Sequence, residues 1–220
     1  MITPTMTPLE AAHDARQDRG ALFNKIKSAI AVQERKHRKE CDRNCILETH
    51  LNWRSPRGNN WLLVVRTNRK ETDLRSLAWY RGKDGRLRAV YVGLLNDATT
   101  YFSAHFLDRY LLRFDPSRNP IQRLQDLFFT NHDIATQTLE DLGNGQYKVM
   151  AGLVHGLGTG IWDSTTQLVS ITTFLDYGML SDEQMKLADA LDFQRELLAR
   201  PAGFRAHVLR LLEEERKKAA

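Results

Sequence analysis

Cysteine is almost missing from this chain: 220 residues contain two, Cys41 and Cys45. That is too few, and too closely spaced, for the disulfide framework of a small secreted domain. Long apolar runs are missing as well. No stretch approaches the ~20 consecutive apolar residues that a membrane helix needs, so no membrane partner is expected. Residues 1–20 are polar and carry acids, with no apolar segment and no small-residue cleavage site. This argues against a secretory leader and makes the cytoplasm the expected location. Internal repeats and low-complexity linkers are absent too, and a length of 220 residues fits one domain.

Several catalytic signatures are also lacking. There is no Gly-x-Ser-x-Gly elbow, neither cysteine sits in a nucleophile motif, and no acid pair precedes a Glu-x-Lys. The common covalent hydrolases and metal-dependent nucleases are therefore not expected. Gly152, Gly156, Gly158 and Gly160 suggest a phosphate loop, but such a loop must lead into a helix. Here the pattern at residues 168–174 is that of a strand, so the glycines read as a hairpin or bulge, with His155 beside them structural or approaching His105. No cofactor is expected.

What the chain does have is unevenly placed positive charge. The formal net charge is +5. Residues 53–91 alone hold ten basic side chains, Arg54, Arg57, Arg66, Arg69, Lys70, Arg75, Arg81, Lys83, Arg86 and Arg88, opposed only by Glu71, Asp73 and Asp84. Residues 96–145 are acidic in balance. A basic face of this kind attracts polyanions, nucleic acid first; the same arginines also suit strand edges kept soluble. Trp53, Trp61, Trp79, Tyr80 and Tyr91 interleave with them and would stack bases if exposed, although the alternation points most of them to the core.

The periodicity gives an α+β fold in one domain. Thr7, Pro8 and Glu10 form a capping box that opens a helical N-terminal segment over 1–44, bent near Gly20. From Ile46 the period drops to two, giving a four-stranded basic meander over 45–96 with an Asp84-Gly85 hairpin turn. Ser103, and then Asn119 with Pro120, cap central helices, which together with a third at 133–142 fill residues 103–143. Strands return over 146–175, and Ser181 with Gln184 opens a C-terminal helical pair over 181–219. The expected architecture is a single antiparallel sheet of about six or seven strands, four in the meander and three later, packed with N-terminal, central and C-terminal helices.

Two clusters carry candidate chemistry. His105, Arg109 and Arg113 are spaced i, i+4, i+8, so they share one face of a helix. An imidazole that titrates near neutrality beside two fixed guanidiniums suits phosphodiester cleavage, as acid or base next to anion-binding groups. The bland reading of the same face is an amphipathic helix whose arginines pair with nearby acids such as Asp108 or Asp115. The second cluster, His37, Cys41, Cys45 and His50, has zinc-ligand residue types but lacks the Cys-x-x-Cys knuckle, so no metal is assigned.

The His-x-x-x-Arg-x-x-x-Arg helix resembles, over residues 103–113, that of small bacterial ribonuclease toxins of the RelE-like class. The resemblance implies binding or cleavage of RNA, with His105, Arg109 and Arg113 at the site. The expected function is thus a nucleic-acid-associated protein, for RNA or single strands, using Arg54, Arg57, Arg66, Arg69, Arg81, Arg86 and Arg88 as the binding face, with or without ribonuclease activity at the His/Arg helix. The alternative is a non-catalytic interaction or adaptor protein that binds another protein or a second copy of itself.

Overall fold

The computed structural model describes residues 1–40, 47–67, 72–93, 99–114, 119–131 and 133–199. In chain order the elements are α1 (Pro8–Arg16), α2 (Arg19–Glu40), β1 (Leu47–Arg54), β2 (Asn60–Thr67), β3 (Thr72–Arg81), β4 (Leu87–Val92), β5 (Thr99–Phe102), α3 (Ala104–Phe114), α4 (Pro120–Thr130), β6 (Ala135–Gly143), β7 (Gln146–Leu153), β8 (Gly156–Asp163), β9 (Leu168–Asp176), a single 3-10 turn (Tyr177–Met179) and α5 (Asp182–Ala199).

The α+β class with one sheet stands, but the sheet is larger than expected and it is mixed. Nine strands run in the order β1-β2-β3-β4-β5-β9-β8-β7-β6. All neighbours are antiparallel except β5 and β9, which pair in parallel. Two elements account for the difference. The first is β5, a four-residue strand directly before α3. The second is residues 133–142, expected as a helix, which lie mostly in β6. Gly143, Asn144 and Gly145 all have positive φ and form the tight hairpin turn to β7, the geometry that such residues permit. The supposed helix cap is therefore a hairpin. The second helix of the C-terminal pair falls outside the described residues.

The capping signals behave as expected. Thr7 and Glu10 form the reciprocal capping box on α1, Ser103 Oγ accepts from Phe106 N, Asn119 Oδ1 from Ile121 N, and Ser181 and Gln184 cap each other. Between α1 and α2 the break comes at Asp18, ahead of Gly20. Asp18 is fully buried and accepts from Asn59 Nδ2 and Trp61 Nε1, each at 2.9 Å. This polar anchor turns the chain inward and docks both helices on the β1–β2 hairpin.

Helices cover both sheet faces. On one face, α1 and α2 close a cluster with Trp61, Leu63, Ala78, Tyr80, Val90 and Tyr101, while α5 closes a smaller one with Met150 and Leu157. On the other face, α3 and α4 bury Phe106, Leu107, Tyr110, Leu124 and Phe128 against Leu62, Leu77, Phe102, Ala151, Ile171 and Phe174. Gly158 makes the close approach of α3 possible: a Cβ there would lie 3.3 Å from Phe106 Cε2 and 2.9 Å from Ile171 Cγ2. Leu77 of β3 and Leu153 of β7 line the same small void, so the sheet curls around α3 and α4. That void measures about 10 Å³, room for a single water.

Candidate nucleic-acid interface

α3 is built as a two-sided helix. Phe106, Leu107, Tyr110 and Leu111 are buried, whereas His105 is exposed and Arg109 half-buried. Contacts at its two margins orient it. On the β4 side, Asp108 takes Arg86 at 2.6 Å. On the β9 side, Ser103 Oγ donates to Thr172 O at 3.1 Å, and Arg113 forms an ion pair with Asp176 and donates to Met179 Sδ. The His105–Arg109–Arg113 row thus runs along β9. Neither His105 nor Arg109 bonds to any other described residue, while Arg113 is already engaged.

The arginines of the meander are placed differently. Arg57 pairs with Asp14 at 2.6 Å on the α1 side of the sheet. On the opposite side Arg66 and Arg75 both grip Asp133, which follows α4, and Glu48 lies 3.2 Å from Arg66. Arg86 holds Asp108, and Arg88 holds Asp84 at 2.8 Å. Arg54 and Arg81 donate to the carbonyls of Gly58 and Gly85 in their own hairpin turns. Arg69 lies outside the described residues. The positive charge that is contiguous in sequence is divided between the two faces, and five of its arginines meet carboxylates. As for the aromatics, Trp61 and Tyr80 are buried, and Trp53, Trp79 and Tyr91 pack partly into the cores.

For the zinc-type cluster, Cys41, Cys45 and the side chain of His37 lie outside the described residues. His50 stacks on Phe129 with ring centroids 4.1 Å apart and bonds Glu48 at 2.7 Å. Among the described residues no three His, Cys, Asp or Glu side chains converge as a metal site requires, and no helix is long and apolar enough to cross a membrane.

A polar group that the sequence does not reveal lies at the far end of α3. Tyr110 Oη is 2.7 Å from His155 Nδ1 and accepts from Asn131 Nδ2 at 3.1 Å, while Asn131 Oδ1 accepts from Val154 N at 2.7 Å. His155 therefore bonds Tyr110 on the core side of α3, not His105. Burial pushes the Tyr110 hydroxyl up to about 12, so it stays protonated and donates to a neutral imidazole. Burial also lowers the His155 pKa, and the nearby Arg195 guanidinium lowers it further.

A pH dependence follows from that corner. The folded imidazole binds its proton less readily than the unfolded one, whose value is about 6.5. The unfolded state thus binds more protons in this range, and acidification favours it. The His155 contribution is present above that value and lost as pH falls through the lowered folded pKa. Thermal unfolding midpoints should drop between pH 7 and pH 5, and the drop should be smaller in His155→Gln. An equal drop in both proteins would remove His155 as its cause.

No family model, curated protein or solved structure matches this chain. On α3 the exposed imidazole of His105 and the half-buried guanidinium of Arg109 share one row, and neither bonds to another described residue.

Proposed function

We propose that this chain binds single-stranded RNA along the His105/Arg109 side of α3, with His105 as the acid–base group of a phosphodiester cleavage. One observation carries the reading: among the described residues Arg109 has no partner beside an exposed His105, although Arg57, Arg66, Arg75, Arg86, Arg88 and Arg113 are all in ion pairs. A half-buried guanidinium without a counterion is a ready phosphate ligand. In the cleavage step the O2′–P bond forms as the P–O5′ bond breaks. The 2′-hydroxyl proton passes to His105, water protonates the 5′-oxygen, and Arg109 offsets the charge that builds on the phosphorane oxygens.

This reading moves the binding face from the meander to α3. Arg54, Arg81 and Lys83 remain as outlying cations that extend the field. The adaptor alternative is favoured by exposed apolar side chains, Leu112 at 61%, Met179 at 50% and Phe193 at 57%. Salt separates the two readings. Binding of a fluorescent oligouridine should weaken steeply from 50 to 300 mM salt, with a log–log slope of about −0.7 per phosphate contact on a single strand. Arg109→Ala should weaken binding and reduce that slope by about one contact. Affinity that ignores salt, or no binding at all, would overturn the reading in favour of an apolar protein interface.

A further inference from the structure

The sheet face that carries α3 also carries an aromatic pair. Alternation along β7 puts Tyr147 on the side of Val149 and Ala151, and Trp162 packs against that same core. The two residues are opposite each other in the β7–β8 ladder, with ring centroids 5.2 Å apart. Both are half-buried, so each keeps part of its surface in solvent. Trp162 pairs with Val169 of β9, two residues before Ile171, which pairs with Phe102 at the foot of α3. At about 3.3 Å per residue and 4.8 Å per strand, Trp162 lies about 12 Å from Phe102, and α3 continues from there along β9 toward Asp176, away from Val169.

Between them β8 carries Gly160, which has no side chain to rise above the sheet. The position is held to glycine by the bulge after Thr159, because a Cβ there would sit 2.0 Å from the Ser170 carbonyl oxygen. This face of the sheet therefore carries groups of two kinds: the Arg109 guanidinium on α3 and, toward the other end of β9, partly exposed aromatic rings. Phosphate contact beside aromatic stacking is the combination used to hold unpaired nucleotides. A duplex keeps its base faces stacked on one another and offers neither ring a surface.

We infer that Tyr147 and Trp162 form a stacking platform for unpaired bases, which makes single-stranded RNA, and not duplex, the substrate of the α3 site. The inference rests on the RNA reading above, and it gives the aromatic pair a role beyond the cross-strand contact that stabilises the hairpin.

The test is anisotropy of labelled oligouridine, free and annealed to oligoadenosine, with the parent, Tyr147→Ser and Trp162→Leu. Trp162→Leu keeps apolar volume against the core, and Tyr147→Ser changes a more peripheral ring, so one variant remains informative if the other misfolds. The parent should prefer the free strand. Each variant should lose roughly ten-fold in affinity for it at an unchanged salt slope. An abasic sugar-phosphate oligomer should bind the parent and both variants alike. Variants that bind the free strand as well as the parent, or a parent that binds duplex equally well, would overturn the platform while the phosphate reading stands. A parent that binds neither form would overturn both.

Discussion

His105→Ala is expected to slow cleavage of a single-stranded RNA by about 10²- to 10⁴-fold, the usual contribution of a positioned acid–base group, and to leave affinity nearly unchanged. The position of His105 is the reason to expect the two effects apart. His105 is solvent-exposed in the first turn of α3, and its neighbours Phe106 and Leu107 hold the helix to the core without it. The imidazole makes no bond to another described residue. Single-turnover rates on end-labelled RNA give the readout. A substrate with a 2′-deoxy sugar at the cleaved position should be inert to the parent, because the proposed nucleophile is gone. Equal rates for parent and variant would remove His105 from the chemistry. Cleavage of the deoxy substrate would replace the 2′-oxygen with water as nucleophile.

Asp133→Ala should produce the largest loss of stability, about 3–5 kcal/mol by analogy with other broken buried ion pairs. Asp133 is 9% exposed and receives both Arg66, itself 9% exposed, and Arg75. Removing the carboxylate leaves two guanidiniums at low exposure, with Glu48 beside one of them. Domains of this size are stable by only about 5–15 kcal/mol, so the denaturation midpoint should fall well below that of the parent at unchanged slope. The same experiment addresses function. If Arg66 and Arg75 serve the fold, a destabilised but folded Asp133→Ala keeps the parent's salt slope for RNA. A steeper slope would mean that the freed arginines had joined a binding face.

The elements marked by local chemistry were legible in the sequence. Thr7, Ser103, Asn119 and Ser181 cap helices where their side chains reach the first-turn amides, an interaction within three residues. The alternation from Leu47 onward and the strands of 146–175 follow a period that the side chains carry themselves. In β6 the strand period is broken at Leu139 and Leu142, and Gly143 has the look of a helix end. Both leucines are exposed, and register irregularities in the β6–β7 ladder fall at these positions. The parallel β5–β9 pair joins residues about seventy apart and leaves no periodic trace.

The candidate site divides in the same way. A shared helix face is a property of spacing, so the row on α3 could be placed. The fate of the arginines could not, because Arg66 meets Asp133 and Arg57 meets Asp14 across long stretches of chain. Counting charge along the sequence overstates what reaches the surface whenever the fold brings the opposing acids in from elsewhere. The structural role expected of His155 is what the fold gives it, but its partners Tyr110 and Asn131 are not legible for the same reason: their bonds join three separate elements.

Photo-cross-linking of thiouridine-substituted single-stranded RNA, followed by peptide mapping, reports directly where nucleotides rest. Attachment on peptides containing His105 and Arg109, or Tyr147 and Trp162, is the predicted pattern. Attachment confined to the β3–β4 hairpin around Arg81 and Arg86, or to α2, with none on α3, would contradict it.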